Sequence, residues 1–137
     1  MRAGSPVDLP VPEPTGTALH KRSASGLRFT RTYRAGIDAL MAHWREPLLR
    51  DRWLKPLAGT RFTLLHPAPA YLEAEETDGL HAVRISATFE DDGELTAVRL
   101  TIAPMPPLTI DRLIATGYAD RWEERLYHLA DQVTRTP

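Results

Sequence analysis

The chain has 137 residues, enough for one domain with its own core, and its 17 basic and 18 acidic side chains leave a formal net charge of −1. That balance supplies no global field for drawing in nucleic acid, although all but Lys21 and Lys55 of the basic residues are arginine. The lack of cysteine excludes disulfides, thiolate catalysis and cysteine zinc sites and suits a reducing, cytoplasmic setting, and no apolar run approaches the roughly 18 residues that a membrane helix needs.

Charge is uneven along the chain. Residues 1–68 hold 11 basic and 5 acidic side chains (+6) and residues 69–137 hold 6 and 13 (−7), a pattern that predicts mutual neutralisation of the two halves in the fold. Residues 1–25 contain Pro6, Pro10, Pro12 and Pro14 with no periodic apolar face, and they read as a tail without regular structure preceding a single domain over 26–137.

From Leu27 to Tyr33 the sequence alternates as a strand, with Leu27, Phe29 and Tyr33 on one face. After Gly36 the period becomes helical, because Ile37, Leu40, Met41 and Trp44 share a stripe. Pro47 interrupts it and opens a second short helix carrying Leu48, Leu49 and Trp53. Phe62, Leu64 and His66 share a further strand face, and a weaker strand around Tyr71 and Leu72 follows. Asp78-Gly79 then predicts a turn. Val83, Ile85, Ala87 and Phe89 alternate with polar residues up to the turn at Asp91-Asp92-Gly93, beyond which Val98, Leu100 and Ile102 share a face. Thr109 is a suitable cap for a helix that runs, broken near Gly117, to about Thr134, with Leu113, Trp122, Leu126, Leu129 and Val133 as its apolar stripe. Strand, two helices, about four strands and a long helix make an α+β domain, in which the last helix covers the apolar face of an antiparallel sheet.

Three segments resemble one superfamily. LRFTRTYRAGIDALMAHWREPLLRDRWL, ending in Trp53-Leu54, is similar to the opening of START/SRPBCC domains, especially the branch of homologues of the heat-shock-protein ATPase activator. VRISATFEDDGELTAVRLTIAP resembles that family's penultimate hairpin, and RWEERLYHLADQV its closing helix, with Arg121 standing where glycine is usual. The resemblance implies a helix-grip fold, a curved sheet wrapped around the C-terminal helix with an apolar cavity between them. The short stretch between Leu54 and the end of the last hairpin implies an abbreviated sheet and a small or open cavity.

No HExxH, Walker-type loop, GxSxG or GxGxxG occurs, so no catalytic residue, metal ligand set or cofactor is assigned from the sequence. Glu124 and His128, one helical turn apart, read as a solvated pair, since two ligands do not hold a metal. Polar residues on apolar faces draw more interest: Arg31 shares the Leu27/Phe29/Tyr33 face, His66 continues Phe62/Leu64, and His81 precedes Val83 and Ile85 in phase. Each is placed to orient a ligand, or lies near a strand end where the inward face meets water. Tyr118 and Trp122 offer an aromatic wall or plain core packing.

The expected function is non-catalytic binding of a small hydrophobic molecule between sheet and closing helix. Its site would draw on Phe62, Leu64, His66, His81, Val83, Ile85, Val98, Leu100, Tyr118, Trp122 and Arg31. The alternatives are a cyclase- or dehydratase-like enzyme of the same fold using His66, His81 or Arg31, and a module that binds another protein or a second copy of itself. Neither nucleic acid nor membrane is an expected partner.

Overall fold

The computed structural model describes residues 19–23, 26–65 and 68–135. Its strands are β1 (Leu19–Ser23), β2 (Gly26–Tyr33), β3 (Arg61–Leu64), β4 (Tyr71–Thr77), β5 (Ala82–Asp92) and β6 (Leu95–Pro104). Helices α1 (Ile37–Arg45) and α2 (Pro47–Leu54) follow β2, and α3 (Ile110–Ala115) and α4 (Tyr118–Arg135) close the chain. The six strands form one antiparallel sheet in the order β1-β2-β6-β5-β4-β3. A curved sheet that holds a C-terminal helix against its inner face is a helix-grip-like α+β arrangement.

Partners in register share a face, so the pairing turns each strand's alternation into rows. Leu27, Ile102, Ile85 and Ala74 form one inward row, and Phe29, Leu100, Ala87 and Leu72 the next. All eight are buried. Onto them pack Leu126, Leu129 and Val133 of α4 and a tryptophan cluster. Trp44 meets Trp53 with ring centroids 4.7 Å apart, stacks on Trp122 at 6.2 Å, and meets Phe89 edge-on at 6.4 Å. The Trp53 indole N–H donates to the carbonyl of His43 at 2.8 Å, which ties α2 to α1.

The local signals act where the sequence places them. Pro47 occupies the first turn of α2, where its missing N–H has no role in the helix. Thr109 caps α3 by accepting the Arg112 backbone N–H at 3.2 Å. Gly117, at φ 80°, breaks α3 from α4. At Gly26, φ is 147° and a Cβ would stand 2.4 Å from the Ile102 carbonyl oxygen, so the close approach of β2 to β6 requires glycine.

Several expectations need correction. The proposed tail reaches too far, because Leu19–Ser23 pairs with β2 as an edge strand; residues 1–18 lie outside the described residues. Leu48 points to solvent at 80% exposure, because the first turn of α2 faces away from the core that Trp53 and Leu54 enter. The four carboxylates Glu73, Glu75, Glu76 and Asp78 find their cations, Arg84, Arg121 and Arg125, within their own half of the chain.

Candidate functional site

The β4–β5 connection carries the most organised polar group. Asp78 Oδ1 accepts the backbone N–H groups of Leu80 at 3.0 Å and His81 at 2.7 Å, and the Asp78 N–H returns to the His81 carbonyl at 3.0 Å. Gly79, at φ 91°, makes this tight turn possible. The turn holds the His81 ring against the same carboxylate, with Nδ1 3.0 Å from Asp78 Oδ2 and 3.1 Å from Oδ1. Arg121 adds a contact to Asp78 Oδ2 at 3.3 Å. Burial pushes the Asp78 carboxyl up, but the hydrogen bonds from the His81 ring and from the His81 and Leu80 N–H groups outweigh it and hold the group down at about 2.

On its other side, His81 Nε2 lies 2.7 Å from Thr116 Oγ1, and that hydroxyl reaches the Arg112 carbonyl at 2.7 Å. The hydroxyl has one proton. When it goes to Arg112, Nε2 must donate, and with Nδ1 donating to Asp78 the ring is an imidazolium; when the ring is neutral, the hydroxyl turns towards Nε2 and releases the carbonyl. Either way the buried ring braces the β4–β5 turn against the end of α3.

The His81 ring rests on Tyr118, with centroids 4.7 Å apart. Tyr118 donates to Glu76 Oε1. Arg125 grips the Glu76 carboxylate with two bonds of 2.8 Å, uses its Nε–H on the Leu54 carbonyl at 2.8 Å, and lays its guanidinium 4.8 Å from the Trp122 ring centroid. Glu76 and Arg125 are both buried. Burial and the adjacent carboxylate raise the Tyr118 phenol, so it remains a donor. Polar contacts thus run from the surface turn to the centre of the helix layer.

Beside this seam, a crevice of about 500 Å³ opens between the β4–β5 turn and the segment joining β6 to α3. Leu80, Ala82, Met105, Pro106, Pro107 and Leu108 give it apolar walls, with His81 and Arg112 among its polar residues. Leu80, 76% exposed, forms an apolar lip. A second cavity of about 650 Å³ lies over the outer face of β2, β6 and β5, bordered by Arg28, Thr30, Ser86, Thr88, Arg99 and Thr101.

Of the candidate ligand-binding residues named from the sequence and described in the structure, only His81 borders the crevice. Val83, Ile85, Val98, Leu100, Tyr118 and Trp122 are buried core residues, and Phe62 and Leu64 are half-buried on the edge strand β3, packed against that core. Arg31 lies inward at the opposite end of the sheet, and His66 lies outside the described residues. Glu124 is exposed on α4. Among the described residues no three metal-ligating side chains come together. The sequence reading missed Glu76 and Arg125. Glu76 follows Leu72 and Ala74 in phase, and an acidic residue in phase with an apolar face signals a buried partner.

The fold has solved counterparts. A structural-genomics protein from Rhodobacter sphaeroides superposes with a TM-score of 0.70 at 18% identity, over 88% of this chain and 99% of that one. A protein from Mycobacterium smegmatis gives 0.65 at 9% identity over 88% and 97%, and CalU16 from Micromonospora echinospora gives 0.62 at 17% identity over 90% and 81%. At these identities the likeness establishes the fold alone. No protein-family model and no curated protein sequence matches the chain. No helix among the described residues is long and apolar enough to cross a membrane.

Proposed function

We propose that the protein is a START/SRPBCC-like binding module of the cytoplasm that holds a small, largely apolar molecule without chemical change, in the crevice between the β4–β5 turn and the β6–α3 segment. The observation that carries this reading is the crevice itself. Its volume of about 500 Å³ falls in the usual range for small-molecule sites, and its apolar wall carries a few polar groups, His81 and Arg112 among them. The sheet–helix interior is the seat that the family resemblance implies. Here Trp44, Trp53, Trp122 and Phe89 fill much of it by packing on one another, which moves the favoured seat to the sheet's end.

Ala82 borders the crevice from the outward phase of β5, whereas Ala87 is a buried inner-face residue. An apolar fluorescent probe should therefore bind the wild type and be lost from a folded Ala82→Trp variant. Native mass spectrometry of the purified protein should show whether a molecule is carried along. Undiminished probe binding by Ala82→Trp would remove the crevice as the seat.

A second reading is favoured by the Asp78–His81 pair, since a carboxylate that orients an imidazole is the arrangement of a general acid–base catalyst. It requires Thr116 to release Nε2 towards a bound substrate. Turnover of a crevice ligand that disappears in His81→Gln would favour it over simple binding.

A further inference from the structure

The back of the sheet, away from the helices, carries its own arrangement. Register sets the outward residues of β2, β6 and β5 in two rows: Arg28, Thr101 and Ser86 in one, Thr30, Arg99 and Thr88 in the next. All six border the outer cavity of about 650 Å³. Phe29 and Leu100, whose side chains are buried on the inner face, border it too, so its floor is the backbone of β2 and β6. The short side chains of Ser86 and Thr101 are half-buried, and Arg28, Thr30, Thr88 and Arg99 are exposed beside them.

Carboxylates on this face lie outside the hollow. On β4, Glu75 meets Arg84 at 2.7 Å and Glu73 accepts the Tyr71 hydroxyl at 2.5 Å. Glu90 reaches Arg99 only at 3.9 Å, with both side chains 69% exposed, a contact that contributes little. Among the described residues Arg28 has no ion pair, and the hydroxyls of Thr30, Ser86, Thr88 and Thr101 have no hydrogen-bond partner. Arg28 stands opposite Thr101, which makes Arg99 its diagonal neighbour, about 7–8 Å away and within reach of a long side chain. Two guanidinium groups can therefore close on one anion, and until one arrives their like charges repel.

We infer that this hollow binds a small organic phosphate, with the phosphate group between Arg28 and Arg99 and the organic body along the hydroxyl rows. A phosphate monoester offers three terminal oxygens in tetrahedral directions, enough to accept from two guanidinium forks and a hydroxyl together, whereas a carboxylate has two oxygens in one plane. The cavity lies in the usual range for small-molecule sites, which leaves room for more than the anion alone. It shares no residue with the crevice at His81 and lies across the sheet from the packed core.

The test follows the backbone amide signals of Thr88, Arg99 and Thr101 by NMR while phenyl phosphate, inorganic phosphate, benzoate or phenol is titrated into the full chain. Phenyl phosphate is expected to shift these signals and to bind about tenfold or more tightly than the other three. Arg28→Gln and Arg99→Gln should each weaken it roughly tenfold. Arg84→Gln, on the same face but outside the hollow, should leave it unchanged. All three side chains are exposed, so the variants are expected to fold, as their melting would confirm. Inorganic phosphate bound as tightly as phenyl phosphate would overturn the organic body. Equal weakening by Arg84→Gln would reduce the effect to general surface charge and overturn the site. So would benzoate or phenol binding as tightly as phenyl phosphate, no binding of phenyl phosphate, or shifts at Ala82 and Met105 in place of Thr88 and Thr101.

Discussion

Asp78 closes its turn through two backbone N–H groups, orients His81 and meets Arg121. Its folded-state pKa of about 2 is below the ordinary aspartate value of about 3.9, so the carboxylate's contribution is complete above roughly pH 4 and is lost as pH falls towards 2. Asp78→Asn keeps an acceptor for the backbone and removes the charge. It should cost about 1–3 kcal/mol near pH 7, and the difference from wild type should shrink steadily below about pH 4 as pH falls through 2. Urea titrations across that range decide it; an equal loss at every pH would make the effect one of shape. The turn itself was legible in Asp78-Gly79, and His81 in its phase with Val83. The ring's two hydrogen bonds were not, because Thr116 is distant in sequence and no periodicity links a helix end to a turn.

Among the elements, α4 was the most readable. Its stripe of Trp122, Leu126, Leu129 and Val133 is buried as the spacing requires, and Gly117 supplies the break. Trp122→Ala should cost roughly 3–5 kcal/mol, because it empties the place where Trp44, Trp53 and the Arg125 guanidinium meet. Equilibrium unfolding measures it, and a change below about 1 kcal/mol would mean that the cluster closes over the gap. Strand β4 was the hardest to read. Its sequence YLEAEET has weak strand composition, and it is held by neighbours: Arg84 on β5 meets Glu75 at 2.7 Å on the outer face, and Arg125 neutralises Glu76 on the inner one. Composition reports a residue's average surroundings, and here the surroundings come from two other elements.

At the scale of the molecule, α+β order and the sheet-covering helix followed from periodicity, whereas the sheet's first strand did not. Leu19–Ser23 lacks a recognisable apolar alternation and takes its form from the pairing of Leu19 with Thr30 through Ser23 with Gly26. Removing residues 1–25 would leave the eight-residue β2 as a bare edge, with unpaired backbone groups able to recruit another chain. A chain starting at Gly26 should therefore associate in a concentration-dependent way and melt below the full-length protein, as sedimentation and thermal unfolding would show. A monomer of unchanged stability would mean that β1 is dispensable.

The buried Glu76–Arg125 pair has a consequence for assembly as well as for the finished structure. Oily side chains every three or four residues would let α4 settle on the sheet one turn early or late with little to choose between the positions. A forked cation that must meet one carboxylate and one carbonyl, those of Glu76 and Leu54, removes that freedom. Every misplaced docking would strand a charge away from water, so the pair acts as a key that admits a single seating of the helix.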